Sequence, residues 1–544
     1  MEFTDDLTRH YSNILDGTYD CIDRIVLNAH CPMLLTGGGI RYWFRKLKGS
    51  DKDLDTNQLI KFAGRFSRRI QSFCESRKIP LIYFSTGERK HEEAEKLIPE
   101  DSTFEGIFAV FVSRAPGLLW EVKKFETGSI DIRRKEKSSL INHYYFHIID
   151  KDWGHICIKI CCHPPFTCSI MLNGHEWVER EKHIKELNIT KEGNCFTSYS
   201  DGNKLSEIAD TLKDKGQLEA VCNRWVYRCL WFAMDYDEQK QVEFKYSYSI
   251  YQIEYSRNLL FHRGRQLDDV YQNIIDLTRS NIDIKRLKTI FGRKNRPFKH
   301  KTRINGPEVR IETPDYNMTI FKIHFGKITL KLYDKGERTL RAEVVVHNTK
   351  DLKCKRGVDS FSIIVDKLHV IMNSFMNNID YAHLGLIDDG SLNQISMPSQ
   401  RGKTRLAGID ITKERSLSVM ETVLELSFSP MGYTSNDVAE IMRSKFSSTY
   451  SNRQASYDIK KLRGKGFVDK QEGSAKYITT QSGIQKIVAL LSLIKSQIPK
   501  NLSIVNNIGI DNGPKNLSEI ENYYFNIQSE IINICKYYGI SKAA

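Results

Sequence analysis

Apolar positions along the chain follow two periods, and the switches between them mark the expected elements. Ile22–Ala29, Ile79–Phe84 and Gly106–Val112 are short apolar runs of buried-strand type. Between them, Asp55–Arg77 sets Leu59, Phe62, Phe66, Ile70 and Phe73 on one helical face, and Glu88–Leu97 is also helical in pattern. Strands alternating with helices predict an α/β domain over 1–135 built on a mostly parallel sheet. Tyr144–Ile149, His155–Cys162 and Thr167–Leu172 alternate apolar and polar residues between turns, which predicts an antiparallel meander. With the apolar helix Leu218–Met234 they make a β-rich domain with helices over 136–256. Residues 257–387 continue as a basic helical segment plus an antiparallel sheet, whose hairpin turns at Lys335-Gly336. The stretch 388–411 is polar, Gly/Ser-rich and basic at its end, the composition of a linker.

Past that linker the pattern becomes a compact series of amphipathic helices. Ser416–Leu426 is followed by Asn436–Phe446, with Thr434 and Asp437 at capping-box spacing, and then by Asn452–Leu462, ended by Gly464-Lys465-Gly466. Phe467-Val468 and Tyr477-Ile478-Thr479 are short strands around a polar turn, and Gln481–Ser496 is a last helix. Helix, helix, turn, helix, two-stranded wing, helix is the order of a winged helix-turn-helix over 412–498. The segment Leu462–Val468 and the wing after it resemble winged-helix regulators of the MarR type. That resemblance implies binding of double-stranded DNA and a dimer. Residues 499–544 end in a helix whose stripe of Leu517, Ile520, Tyr524, Ile527, Ile531 and Ile534 packs on the body or pairs with a second copy. The expected fold class is therefore α+β multidomain: an N-terminal α/β region, a central β-rich region and a C-terminal winged helix.

Charge changes this picture most. The 544 residues carry a net charge of +14, which favours polyanionic partners. Within Lys285–Arg303 stand Lys285, Arg286, Lys288, Arg293, Lys294, Arg296, Lys299, Lys301 and Arg303, without one acidic residue. Such a run repels itself unless a polyanion relieves it, so phosphate-backbone contact is expected there. In the third C-terminal helix, Ala455, Ile459 and Leu462 share the core face. Arg453, Gln454, Tyr457, Lys460 and Lys461 fall off that face as nucleic-acid-contacting residues: Arg453 and Gln454 can reach base edges, Lys460, Lys461, Arg463 and Lys465 suit phosphates, and Lys476 could bring the wing to the backbone.

Candidate chemistry elsewhere is sparse. Gly37-Gly38-Gly39 before a basic stretch could turn backbone N–H groups to a phosphate, although it lacks the Gly-Lys-Ser/Thr ending of a P-loop. Glu121 and Lys123 fall on one strand face and resemble the Glu-x-Lys half of the PD-(D/E)xK nucleases. That resemblance implies a divalent metal at Glu121 and a charge-stabilising Lys123, but Gly117 stands where the family has its aspartate. Cys157, Cys161, Cys162 and Cys168 lie among histidines without any Cys-x-x-Cys pair, a pattern closer to a buried sheet than to structural zinc. His175 and Glu176 fall near a helix start, where capping is the common role and acid/base work the rarer one. An aromatic strand, Phe244 to Tyr255, either packs on a helix or stacks bases.

These features predict a nucleic-acid-binding protein whose partner is double-stranded DNA. Its surfaces are the winged helix and the basic stretch 285–303. The alternative is a metal-dependent nucleic-acid enzyme targeted by the winged helix, using Mg or Mn; otherwise no cofactor is expected. Whether the chain is an enzyme is left open by its motifs, and a ligand-sensing regulator has no motif of its own. The longest apolar runs fall far short of a membrane span and the N-terminus lacks a signal-like segment. The expected location is therefore cytoplasmic or nucleoid-associated, without membrane contact.

Overall fold

The computed structural model describes residues 5–281, 308–312, 320–383 and 391–491, apart from 86–87, 89, 127–128, 136–138, 215, 336 and 402–403, together with scattered residues over 494–530. The chain is a mixed helix-and-sheet protein that divides into two compact units. One is built from Tyr11–Leu267 with Thr313–Asn373. The other is built from Ser374–Ala544 with Thr4–His10 and Asp268–Glu312. No helix among the described residues is long and apolar enough to cross a membrane.

Strands in chain order are β1 (Leu15–His30), β2 (Leu81–Phe84), β3 (Gly106–Gly117), β4 (Trp120–Lys124), β5 (Ile130–Arg134), β6 (Ser139–Asp150), β7 (Gly154–Cys161), β8 (Cys168–Asn173), β9 (Thr190–Glu192), β10 (Cys195–Ser198), β11 (Ser247–Phe261), β12 (Glu308–Glu312), β13 (Ile320–Phe325), β14 (Ile328–Asp334) and β15 (Thr339–Val346). In the first unit they join in the order β13-β14-β15-β11-β1-β8-β7-β6-β3-β2. Every pairing in that series is antiparallel except β2 with β3. The mostly parallel sheet expected over 1–135 is therefore corrected, and so are the boundaries at 135/136 and 256/257. β1 pairs with β11 from Leu15↔Phe261 to His30↔Ser247, so both boundaries fall inside one sheet. A pairing this distant in sequence has no local signature, whereas the β2–β3 step does: α4 (Lys90–Lys96) lies between those strands in the chain.

Helices of this unit cover the sheet. They are α2 (Gly37–Lys48), α3 (Thr56–Arg77), α5 (Gly174–Arg180), α6 (Gly202–Asp210), α7 (Gln217–Leu230), α8 (Tyr236–Gln241) and the first part of α10 (Phe361–His383). In α3, Leu59, Phe62, Phe66 and Ile70 are buried, as their spacing predicts, whereas Phe73, expected on the same face, is half-buried, and Asp55 caps the start through Gln58 N (2.7 Å). Phe66 meets Tyr144 of β6 at 4.9 Å between ring centroids, and Phe232 stacks on Phe146 at 5.5 Å.

The sheet also buries polar side chains. His147 and His155 share a hydrogen bond between Nδ1 and Nε2 (3.0 Å), and burial lowers their pKa values to about 3 and about 4. A histidine whose folded-state pKa lies below its unfolded value of about 6.5 binds protons better when unfolded. Its contribution to stability is present above pH 6.5 and is lost as pH falls toward 3. For His147 alone, going to pH 5 costs about 2 kcal/mol. Thermal melts from pH 7.5 to 5 should show falling midpoints, and His147→Gln should flatten that slope; an unchanged slope would contradict it.

The second unit contains α1 (Asp6–His10), α9 from Asp268 onward (Gly264–Asn281 in full), the end of α10, α11 (Ser391–Ser396), the hairpin β16 (Ser399–Arg401) and β17 (Thr404–Leu406), then α12 (Glu414–Ser427), α13 (Ser435–Lys445), α14 (Asn452–Gly464), the hairpin β18 (Val468–Lys470) and β19 (Tyr477–Thr479), and α15 (Gln481–Leu491). Its core gathers Val423, Val438, Met442, Ile459, Phe467 and Ile487. Ile395 and Ile409 belong to the same core, and Ile409 N donates to Ile395 O (2.9 Å). Within the linker expected over 388–411, α11 and the β16–β17 hairpin are formed, and Ile395, Leu406 and Ile409 are buried.

Candidate nucleic-acid interface

Helix α14 is fixed at its start by a reciprocal cap. Ser451 Oγ accepts from Gln454 N (3.3 Å), and Gln454 Oε1 accepts from Ser451 N (2.7 Å). One face of the helix, Ala455, Asp458, Ile459 and Leu462, is buried. Asp458 is the one acidic residue of α14 and does not reach the surface as a free charge. Its Oδ2 accepts from Arg415 Nε (2.9 Å) and from Tyr450 OH (2.7 Å), which ties α14 to the start of α12 and to the turn before the helix.

At 3.6 residues per turn, Arg453, Tyr457 and Lys460 fall in one stripe opposite the buried face. All three are exposed, Tyr457 by 46%. Lys461 stands beside them with its ammonium over the Tyr457 ring, 4.8 Å from the centroid. The stripe therefore carries positive charge and one aromatic ring, and no carboxylate among the described residues forms an ion pair with it. Such a surface can pair with phosphates and pack a ring against a sugar or a base.

Other expected contact residues are placed differently. Gln454 is exposed, but its amide oxygen is occupied by the cap. Arg463 lies with its guanidinium over Tyr477 of the hairpin at 5.8 Å. Lys465 Nζ donates to Gln394 O and Met397 O, each at 2.5 Å, and desolvation lowers its pKa. Lys476 Nζ donates to Met431 O (2.6 Å). Arg463, Lys465 and Lys476 thus hold the unit together around α14. Lys470, at the end of β18, is exposed and was not among the expected residues. Strand alternation from buried Val468 would point it inward, so the sequence concealed it.

The basic run with Lys285, Arg286, Lys288, Arg293, Lys294, Arg296, Lys299, Lys301 and Arg303 lies outside the described residues. Of the tail stripe only Ile527 is described, 46% exposed. Glu121 and Lys123 do share a face of β4, but β4 pairs only with β5, where Glu121 faces Arg133 and Lys123 faces Asp131. A Cβ on Gly117 would lie 2.1 Å from Ile141 Cδ1, so an aspartate there would have to push the Ile141 side chain aside. Among the described residues no three His, Cys, Asp or Glu side chains are grouped to hold a metal, at Glu121 or elsewhere.

Gly37 and Gly39 open α2, yet a Cβ on either would fall within 2.2 Å of the backbone oxygens of Ile132 and Met33, respectively. They are small so that the chain can pack closely, whereas a Cβ on Gly38 would meet open space, and Gly39 N donates to Thr36 Oγ1 (3.1 Å). Burial raises the thiol pKa of Cys157, Cys162 and Cys168 to about 12 and of Cys161 to about 11, which leaves inert core thiols. Tyr246 and Tyr248 of the aromatic strand are buried, with Tyr246 OH donating to Phe166 O (2.7 Å), so they are not a base-stacking face.

His175, at the start of α5, is fully buried. Asn173 caps that helix, and His175 Nδ1 lies 3.1 Å from Asp23 Oδ1. The same Asp23 accepts from Ser256 Oγ (2.9 Å) and lies 3.6 Å from Arg341 Nη1. Sequence reasoning missed this group, since its charges come from β1 and β15, far apart in the chain. Comparison with family models, with curated proteins and with solved structures returns no match to this chain.

Proposed function

We propose that the C-terminal unit is a winged helix that binds double-stranded DNA, with α14 as the helix that enters the groove. The observation that carries this reading is the solvent stripe of α14: Arg453, Tyr457, Lys460 and Lys461, with no ion pair to an acid among the described residues. A helix–helix–helix–hairpin–helix order around one core supports it. Arg453, on the first turn, is the base-reading residue, and Lys460, Lys461 and Lys470 contact phosphates. The reading needs no catalysis. The first unit would then supply context to a binding module.

Titration of a short labelled duplex with the full chain, followed by fluorescence anisotropy, tests this. Three phosphate contacts should weaken binding about 40-fold as salt rises from about 50 to about 200 mM. Binding that is absent at low salt, or indifferent to salt, would refute the reading.

A further inference from the structure

The first unit holds an open cleft of about 820 Å³ that no part of the preceding account uses. Its walls come from the end of α3, the start of β3 and the segment from α7 to α8. Aromatic rings dominate them: Phe73, Phe108, Trp225, Trp231 and Tyr236. Phe73 and Trp231 are partly exposed and Tyr236 is 56% exposed, so the rings meet solvent and are not all spent in the core.

These rings are held in place. Trp225 Nε1 donates to Asp150 Oδ2 (2.6 Å), and the Arg69 guanidinium lies 4.9 Å from the Trp231 ring centroid. Three cations line the same cleft, Arg77, Lys78 and Arg228, against one carboxylate, Glu105. Arg77 sits over Phe73 at 5.0 Å and Arg228 over Trp225 at 4.8 Å, so each charge is stacked on a ring of the wall. Two carbonyls at the end of α3 already accept hydrogen bonds, Glu75 O from Lys78 N (3.3 Å) and Cys74 O from Ile79 N (2.9 Å). They present less negative potential to an incoming anion.

From this geometry we infer that the cleft binds a nucleotide, its base stacked on the exposed rings and its phosphate paired with Arg77 and Arg228. The volume suits a small-molecule site, and aromatic faces beside exposed cations match an anion that carries a flat ring. The nucleotide is either free or one unit of a single strand; both present the same base and phosphate. This site is separate from α14 and does not rest on duplex binding.

Tryptophan fluorescence of the full chain tests the inference, with AMP, ATP and a short oligothymidylate as probes. Quenching by the mononucleotides indicates a free-nucleotide site, and quenching by the oligonucleotide alone indicates a single strand; each supports the proposal. Replacing Arg77→Glu together with Arg228→Glu should weaken the responding probe at least 10-fold with the melting midpoint unchanged, since both side chains are exposed. Trp231→Phe should reduce the quench amplitude. Charge reversal on α14 should leave the quench intact, which separates failure here from failure of duplex binding. No quench by any probe, or quenching that is indifferent to the Arg77 and Arg228 changes, would overturn the proposal.

Discussion

Arg341→Ala should destabilise the first unit more than any single surface change, by about 3–5 kcal/mol, or roughly 10 °C in melting midpoint. Arg341 is 0% exposed, at the middle of β15. Its Nε donates to Asn258 Oδ1 (2.7 Å), Nη2 donates to Asn194 O (2.5 Å) and Nη1 faces Asp23. Opposite it, the Arg341 guanidinium, with His175 and Ser256 beside it, keeps the buried Asp23 carboxyl below its usual pKa. Truncating the arginine leaves that carboxylate in the interior without its counter-charge, and this dominates the cost. Adding Asp23→Asn should recover part of the loss. The double variant should melt above the sum of the two single losses, by an interaction on the order of 1 kcal/mol or more. Strictly additive losses would show that the two groups do not act as a pair.

Arg453→Glu combined with Lys460→Glu should cut duplex affinity about 100-fold without unfolding the second unit. Each side chain offers one charge-assisted contact, worth about 1.5 kcal/mol or more, and two together reach about 3 kcal/mol. Neither belongs to the cap at Ser451 or to the buried face, so circular dichroism and the melting midpoint should be those of the unaltered chain. Charge reversal at Lys465 or Lys476 should behave differently. Their ammonium groups hold backbone carbonyls at Gln394, Met397 and Met431, so the loss there should appear first as reduced stability.

Local pattern revealed the elements well. The face of α3, the capping box at Thr434 and Asp437, and the core positions Ala455, Ile459 and Leu462 are all short-range signals, and each is found where its spacing predicts. Long-range order was concealed. The β1–β11 pairing joins residues more than 200 positions apart, so the large sheet of the first unit looked like separate domains. Charged strand residues mislead for a related reason. Asp23, Arg341 and Glu343 would be assigned to a solvent face by their chemistry alone, yet each is buried because a partner comes from another strand. Within α14 the stripe was legible from helical period, while the capture of Gln454 by its own cap and of Lys465 by α11 depends on contacts that composition does not express.

The central claim is that α14 touches DNA phosphates through Lys460 and Lys461. The slope of log affinity against log salt, compared between the unaltered chain and a Lys460→Glu, Lys461→Glu variant on one duplex, measures this directly. The slope should become shallower by roughly 2, one unit for each lost contact. Equal slopes would place the phosphate contacts elsewhere and contradict the account.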